Sequence, residues 1–464
     1  MRFLVRAFLS LFVLALLAAG GAYYMAGREA GPSITVRTPE KFVGQNTPLE
    51  FAIEAPGGQF SLIEAALEQE GQSHPLFSSD PAQPQSGELK QETADRVMVT
   101  RAIGKQAIPS LKAGPARLVI RARRPVLYGV RQTETSITRD LEVRLEPPRV
   151  GVLSLHHFVN HGGAEFVVFR ATPADASAGV RVGDVSFPAF AGTTIGIKDP
   201  AARVAFFALG HDQDLNTPIT TFARDPAGNE ATTQVERRQF PKPFAKSRIE
   251  IDDAFLQRVV PTIAQNTPGA NIDTSDLVKG FLQINNDLRR QNNATIAALA
   301  AKTRPEMLWR EGFSQLVNTA VQSRFADYRT YFHKGKEIDQ QVHLGFDLAS
   351  LQQAPVPAAN RGIVVHANYL GIYGNCVIID HGLGVQSLYA HLSTLDVKEG
   401  DTVEKGQVLG RTGVTGLAGG DHLHFTMLVN GVAVNPVEWW DSHWMEDRVF
   451  RKIREAGGQA PTLK

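Results

Sequence analysis

The 464-residue sequence contains a single cysteine, Cys376, and almost no excess of charge of either sign. One cysteine excludes an intramolecular disulfide and any metal site built from several cysteines. Because Cys376 lies in an apolar run that ends at Ile379, it is predicted to be a buried strand thiol. Lysine and arginine number 48 against 47 aspartates and glutamates. No basic excess is available to neutralise phosphates, so no nucleic-acid partner is expected.

Charged residues are also missing from one stretch near the N-terminus, residues 7–27. These 21 residues are long enough to cross the hydrocarbon core of a membrane as a helix. Arg2 and Arg6 precede the stretch and are expected to stay cytoplasmic. The sequence therefore predicts a cytoplasmic tail over 1–6, a transmembrane anchor over 7–27, and a periplasmic or cell-exterior location from about residue 28 onward. The alternative is a signal peptide that is cleaved after Gly21.

After this stretch, short runs of alternating polar and apolar residues are separated by turns rich in glycine and proline. A period of two is typical of half-buried strands. It predicts two β-sandwich modules, at 32–148 and 149–243. In the second module, the strand 220–224 and the turn 225–229 resemble the closing hairpin of bacterial immunoglobulin-like modules. Both sandwiches are therefore predicted to be immunoglobulin-like, with surfaces available to envelope protein partners.

Residues 250–318 have a helical pattern instead. Apolar residues recur there at helical spacing: Leu277, Phe281, Ile284 and Leu288. Residues 294–301 and 305–317 continue the pattern, so a helical linker module is predicted. Its four asparagines are expected on the solvated surface: Asn285, Asn286, Asn292 and Asn293. Because the module directly precedes the next domain, Asn285 and Asn286 are also candidates to reach the site of that domain and restrain it.

Residues 319–440 return to a β pattern and are dense in glycine and histidine. Polar and apolar residues alternate around His343 and Asp347, so these two side chains are predicted to share one face of a strand, with Leu344, Phe346 and Leu348 facing a core. His422 and His424 are predicted to share one face of a second strand in the same way. Two histidines and one aspartate match a catalytic zinc site, which uses three protein ligands and leaves a fourth position open.

Each motif alone is weak evidence for a metal. A lone His-x-His pair is more often part of packing or of the surface. The two motifs occur together within under a hundred residues, with His391 between them, and this conjunction favours a metal site with spare histidines that move protons. His381 is predicted to be a structural or rim residue. His366 and His443 lack partners at useful spacing. His156 and His157 with His161 could suggest a second metal site, but adjacent residues of a strand face opposite sides, so no site is predicted there.

Several motifs of this segment resemble the LytM/lysostaphin family of zinc endopeptidases over about residues 320–440. The matching motifs are His343-Leu-Gly-Phe-Asp347, Ile379-Asp380-His381-Gly382, Tyr389-Ala390-His391-Leu392-Ser393, Gly400-Asp401-Thr402-Val403, Gly419-Gly420-Asp421-His422-Leu423-His424-Phe425 and Asn435-Pro436. The resemblance implies a β-rich LytM-type (duplicated hybrid motif-like) catalytic domain. It also implies that His343, Asp347 and His424 bind Zn²⁺, while His391 and His422 are non-ligand histidines that activate water and stabilise the tetrahedral intermediate.

The expected architecture is mainly β: an anchor, two sandwiches, a helical module, a catalytic domain at 319–440 and a charged tail at 441–464. The resemblance implies a zinc metalloendopeptidase that hydrolyses peptide cross-links or stem peptides of bacterial peptidoglycan during cell-wall remodelling. The alternative is a non-catalytic envelope scaffold or an activator of a partner wall amidase. Retention of all five polar positions favours the enzyme. One departure from the family is a long segment between Gln322 and Gln341.

Overall fold

The computed structural model describes residues 2–82 and 87–462 and is mainly β, as predicted. The described chain forms two compact units. The first unit runs to Pro148 and includes Arg224–Glu230, and the second combines Arg149–Ala223 with the chain from Ala231 onward. The finer module limits given above stay predictions.

Helix α1 (Arg2–Ala26) is formed by the uncharged stretch near the N-terminus. At a rise of 1.5 Å per residue it is about 37 Å long, and its side chains are exposed as far as Met25. The helix is long and apolar enough to cross a membrane, and a signal sequence near the N-terminus has the same properties.

The first unit contains two sheets that share an apolar core. Its strands are β1 (Ser33–Thr38), β2 (Phe42–Val43), β3 (Thr47–Glu54), β4 (Leu62–Gln69), β5 (Gln72–Ser78), β6 (Glu88–Thr93), β7 (Arg96–Ile103), β8 (Gly114–Val126) and β9 (Arg131–Val143). The strand orders are β1-β3-β7-β6 and β2-β9-β8-β4-β5. In β4 buried and half-buried residues alternate strictly, so period two in the sequence corresponds to one face on the core.

The second unit begins with another pair of four-stranded sheets. Its first strands are β10 (Arg149–Val152), β11 (His157–Asn160), β12 (Ala164–Thr172), β13 (Ser177–Val182), β14 (Val185–Pro188), β15 (Phe190–Ala191), β16 (Ala202–Ala208), β17 (Ile219–Arg224), β18 (Glu230–Gln234) and β19 (Arg237–Phe240). The sheets have the orders β10-β12-β16-β15 and β14-β13-β17-β18, and β11 pairs with β19. Every residue of β16 is buried, because its outer face is also covered.

The region between the second pair of sheets and the C-terminal β domain is only partly helical. It contains β20 (Lys246–Glu250), α2 (Asp253–Asn266), α3 (Leu277–Gln283), a π-helical turn (Ile284–Leu288) and α4 (Arg289–Leu299). The prediction of helix over 305–317 is wrong. There the backbone donates hydrogen bonds to distant carbonyls, from Phe313 to Trp439 and from Ser314 to Ala359. Trp309 and Phe313, which have helical spacing in the sequence, are instead buried in the core from a non-helical segment.

The expected solvation of the asparagines is also wrong, because Asn285 is fully buried and Asn292 nearly so. Asn285 and Asn286 both donate from Nδ2 to Asp339 Oδ2, at 2.7 and 3.0 Å. Their amides therefore hold a neighbouring strand and do not serve as the restraint expected from the sequence. Asn292 Oδ1 accepts from the backbone N–H of Ile372 at 2.9 Å.

The C-terminal β domain, which contains the candidate metal site, is built on one long sheet with two small ones beside it. Its strands are β21 (Ala320–Ser323), β22 (Asp327–His333), β23 (Lys336–His343), β24 (Phe346–Ala349), β25 (Pro355–Pro357), β26 (Gly362–Tyr369), β27 (Asn375–Asp380), β28 (Val385–Leu392), β29 (Thr394–Leu395), β30 (Thr402–Val403), β31 (Val408–Arg411), β32 (Leu423–Val429) and β33 (Val432–Val434). The long sheet has the order β21-β24-β32-β28-β27-β26-β30, and β20, β22 and β23 form a separate sheet.

Residues from Pro436 to Glu455 fold into short helical segments. They form α5 (Pro436–Trp440), α6 (Ser442–Met445), a π-helical turn (Glu446–Phe450) and α7 (Arg451–Glu455). Trp439 packs against Phe206 of β16 at 5.5 Å between ring centroids, and Trp309 packs against Phe450 at 5.4 Å. The second pair of sheets and the C-terminal β domain therefore share one apolar core.

Candidate metal centre

Two adjacent strands carry two of the three predicted ligands. β24 pairs antiparallel with β32, with Asp347 directly opposite His424. Alternation on β32 is as predicted, since Leu423 and Phe425 are buried in the core on the other face. Residues opposite each other on neighbouring strands have adjacent side chains, so pairing brings Asp347 and His424 together.

The first motif is not one continuous strand, contrary to the prediction. His343 ends β23, and the chain bends at Leu344-Gly345 before it enters β24 in a different sheet. The bend points His343 back towards Asp347. A Cβ on Gly345 would lie 2.6 Å from the ring of His424, so only glycine allows this close approach.

Three atoms converge at the centre of the site. His343 Nε2 lies 2.9 Å from Asp347 Oδ1 and 2.9 Å from His424 Nδ1. His424 Nδ1 lies 3.0 Å from Asp347 Oδ1. Donor atoms of a tetrahedral zinc site are separated by about 3.3 Å, given metal–ligand distances near 2.0 Å. The triangle therefore has the dimensions of one face of such a site.

The outer partners of the two rings determine their tautomers. His343 Nδ1 donates to the carbonyl of Arg324 at 3.2 Å. Thr426 Oγ1 donates to the carbonyl of Leu344 and so accepts from His424 Nε2 at 3.0 Å. Both inner nitrogens are left with lone pairs that face each other and the Asp347 carboxylate. Three acceptors without a proton among them repel one another, and a shared cation relieves that repulsion.

The other two predicted residues flank this triangle. His391 Nδ1 donates to the carbonyl of Thr415, and His422 Nδ1 to the carbonyl of Gly420, each at 2.8 Å. Both rings therefore present Nε2 to the site, and that of His422 is 3.4 Å from Asp347 Oδ1. His391 has a φ of 62°, a conformation that costs a non-glycine residue about 1–3 kcal/mol. Backbone strain of this kind is concentrated at functional sites.

The electrostatics of the site suit a cation. Burial raises the pKa of Asp347. Before a cation binds, the charge of a protonated His343 and hydrogen bonds from protonated histidine nitrogens lower that pKa by more, to well below its ordinary value. Burial lowers the pKa of His424 to about 4. Burial, with His422 and His424, also lowers the pKa of His391 well below its usual range. For His422, burial lowers the pKa, but the hydrogen bond to Asp347 and its charge raise it by more.

Two residues that sequence reasoning missed also contact the site. Tyr373 packs its ring 5.7 Å from that of His424, and burial raises its pKa to about 12. Arg329 Nη2 donates to Asp347 Oδ2 at 2.9 Å. The signal for Arg329 was its position in the segment between Gln322 and Gln341 that departs from the family. For Tyr373 the sequence carried no local signal, because its role depends on a turn that folds back over the sheet.

Two of the remaining histidines, His381 and His157, are buried and form hydrogen bonds away from the site. His381 is buried and contacts the carbonyl of Arg361 and Ser387 Oγ, each at 2.7 Å. His157 contacts Ser154 Oγ and the carbonyl of Glu236. Over residues 2–82 and 87–462, the grouping of His343, Asp347 and His424 is the one cluster of three histidine, cysteine or acidic side chains placed to hold a metal.

A groove of about 890 Å³ opens over the five polar side chains. Ile251, Phe255, Arg258, Leu417 and Gly419 are among its lining residues. Arg258 Nη2 donates to the carbonyl of Ala418 at 2.8 Å, so helix α2 is bonded directly to the loop 417–419. A cavity of this volume is in the range of ligand-binding clefts. The cavity is therefore large enough to hold part of a ligand beside the five polar side chains.

The sequence of residues 341–436 matches Peptidase family M23. It is 44% identical over 97 residues to a protein of Neisseria meningitidis serogroup B named DD-carboxypeptidase/endopeptidase Mpg, covering 21% of this chain and 22% of that one. It is 38% identical over 96 residues to Peptidoglycan DD-endopeptidase ShyC of Vibrio cholerae, covering 21% and 22%. The match thus spans about a fifth of these relatives.

Lipoprotein NlpD of Yersinia enterocolitica is 38% identical over 94 residues, covering 20% of this chain and 96% of that sequence. A crystal structure described as a putative peptidase M23 from Pseudomonas aeruginosa overlaps 61% of this chain and 95% of its own, at 19% identity and a TM-score of 0.37. All five polar residues of the site lie within the matched range. The chain therefore belongs to Peptidase family M23, the LytM/lysostaphin family, and carries its domain in the C-terminal region.

Proposed function

We propose that this protein is a zinc-dependent endopeptidase that hydrolyses peptide cross-links or stem peptides of bacterial peptidoglycan. The observation that carries the proposal is the convergence of three lone pairs, on His343, Asp347 and His424, within 3.0 Å of one another under an open groove. The names of the M23 relatives from Neisseria and Vibrio support peptidoglycan as the substrate.

The ligand set fits zinc. Neutral imidazole nitrogens and a carboxylate oxygen are zinc ligands, and three of them leave a fourth position for water or substrate. When bound, zinc supplies a Lewis acid and lowers the pKa of water towards neutrality. Thr426 and the carbonyl of Arg324 hold the two histidine rings in the tautomer that ligation requires.

His391 and His422 carry the proton transfers. Backbone carbonyls occupy their Nδ1 atoms, so each ring accepts or releases a proton only at Nε2, on the side of the groove. One ring takes a proton from the attacking water, and a protonated ring returns one to the leaving amine. The groove walls orient the peptide along the two histidines and reduce its contact with bulk water.

We further propose that helix α1 keeps the enzyme at the cytoplasmic membrane, with the chain from about residue 28 onward in the periplasm or outside the cell. Arg2 and Arg6 on the N-terminal side support this orientation. Peptidoglycan lies on the same side, and the sandwich modules offer surfaces for envelope protein partners.

Digestion of purified sacculi by the full-length protein in detergent tests the proposal. We expect about one zinc per chain by elemental analysis, and conversion of cross-linked muropeptides to shorter products by mass spectrometry. His424→Ala should lose both zinc and product formation, because two remaining ligands bind the metal much more weakly. His443→Ala, which removes an exposed histidine of α6, should retain both. A wild-type protein that binds zinc but releases no product would favour the non-catalytic scaffold instead.

A further inference from the structure

The strand that precedes the first metal motif, β22, places two charged side chains beside the ligand triangle. Asp327 and Arg329 are two residues apart and so lie on the same face of the strand. Both are largely shielded from solvent, with exposed side-chain fractions of 6% and 20%. A buried charged pair this close to a metal site requires a partner for each charge.

Arg329 bridges two carboxylates. Its Nη2 donates to Asp347 Oδ2 at 2.9 Å, and its Nε donates to Asp327 Oδ2 at 3.3 Å. Asp347 uses its other oxygen, Oδ1, in the triangle with the histidines. The guanidinium therefore determines which oxygen of Asp347 faces the metal position and prevents the carboxylate from turning.

Asp327 reaches a second ligand through a serine. Ser323 Oγ donates to Asp327 Oδ2 at 3.2 Å and lies 3.2 Å from His343 Nδ1. Ser247 Oγ of β20 donates to the other oxygen, Asp327 Oδ1, at 2.8 Å. One buried carboxylate thus organises the groups that hold two of the three ligands.

Asp327 should also favour metal binding through its charge, in addition to positioning the ligands. Arg329 beside Asp347 would oppose a divalent cation if its own charge were not neutralised. Asp327 supplies that neutralisation and anchors the guanidinium at the same time. Loss of the Asp327 charge should therefore weaken metal binding both by electrostatic repulsion and by disorder of Asp347.

We propose that Asp327 is a positioning residue of the metal centre, acting on Asp347 through Arg329 and on His343 through Ser323. The inference rests on the proposed function, because it assumes that the triangle binds zinc. Outer partners of metal ligands typically change metal affinity by about 10–100-fold when they are removed. This part of the site lies in the segment that departs from the family.

The test measures zinc affinity of full-length variants by competition with a fluorescent chelator, and the d–d absorption of their Co²⁺ forms. Asp327→Asn should weaken zinc binding by about tenfold or more and alter the Co²⁺ spectrum. Glu250→Gln, which removes an exposed charge from the groove wall outside the network, should change affinity by less than about twofold. In an Arg329→Gln background, the effect of Asp327→Asn should be clearly smaller, because its main path to Asp347 is already absent.

Each result decides between explanations. Equal zinc affinity in the wild type and Asp327→Asn would overturn the inference, and so would the same loss with and without Arg329. If Asp327→Asn does not fold, the Co²⁺ spectrum of Arg329→Gln carries the test, and a wild-type spectrum there would refute the network. A wild-type protein that binds no zinc would refute the proposed function, which distinguishes that failure from failure of the positioning role alone.

Discussion

The ion pair between Lys452 and Glu165 joins the C-terminal helix α7 to strand β12 in the interior of the second unit. Lys452 is 1% exposed and Glu165 is fully buried. Lys452 Nζ donates to Glu165 Oε1 at 2.8 Å and to the carbonyl of Phe166 at 2.9 Å. Burial lowers the pKa of Lys452, and Glu165 opposes that effect. Glu165 also accepts from the backbone N–H groups of Phe158 and Phe166, each at 2.8 Å.

Lys452→Met leaves the buried Glu165 carboxylate with hydrogen bonds from two backbone N–H groups. The nearest remaining positive charge is then Arg448, whose Nε lies 4.0 Å from Oε2. Breaking one side of a buried pair costs about 3–5 kcal/mol. Glu165→Gln leaves the ammonium with two neutral acceptors and should cost about 3 kcal/mol. The double variant removes both charges of the pair and loses the two hydrogen bonds of the ammonium group, worth together about 2 kcal/mol. The two singles should therefore be non-additive by at least about 3 kcal/mol.

Urea unfolding followed by tryptophan fluorescence measures these differences. All four tryptophans lie in the second unit: Trp309, Trp439, Trp440 and Trp444. A loss of 3–5 kcal/mol should lower the urea midpoint by about 1 M or more. Lys302→Met is the matched control, because Lys302 pairs with Glu399 at the surface, with 47% and 57% of their side chains exposed. It should cost less than about 1 kcal/mol. Additive losses in the double variant would refute the argument that the pair is coupled.

Three further outcomes are expected. His391→Ala should keep about one zinc per chain in elemental analysis while hydrolysis of sacculi falls about a hundredfold or more; loss of the metal would make His391 a ligand. Burial raises the pKa of Glu438 to about 7, so its stabilising contribution is complete below pH 4.5 and is lost as the pH rises to 7. Glu438→Gln should therefore gain about 3 kcal/mol relative to wild type across that window in urea titrations at several pH values; a pH-independent difference would contradict this reasoning. An alkaline phosphatase fused after Gly31 should be active and membrane-bound, whereas a soluble form that starts near Ala22 would identify a cleaved signal.

Local patterns were enough to predict much of the site. A period of two across residues 422–425, which lead into β32, predicted that His422 and His424 share one face, because successive side chains of extended backbone alternate whatever the neighbouring strands are. The grouping of His343, Asp347 and His424 was also expected from residue type, spacing and the family resemblance, and their role as ligands stays a prediction. The continuous strand expected there was wrong, because a bend at Gly345 depends on the close approach of His424.

Predictions were wrong where a residue's hydrogen-bonding or packing partner lies far away in the sequence. Asn285 is a polar residue on a helix, and the sequence could not show that Asp339, more than fifty positions later, would accept its hydrogen bond. Trp309 and Phe313 have helical spacing, yet their backbone hydrogen bonds go to distant segments. The polarity and size of such a side chain can be read from the sequence, but its burial depends on which distant segments pack against it.

The sequence by itself determined the apolar N-terminal helix, the strand-rich character of the chain and the five polar residues of the candidate metal centre. Only the tertiary structure decided that the second pair of sheets and the C-terminal β domain share one core, that Lys452 is buried against Glu165, and that Arg329 holds Asp347. The physical reason is that alternation, capping and ligand type act over a few residues, whereas the pairing of buried charges is decided when distant segments exclude water together.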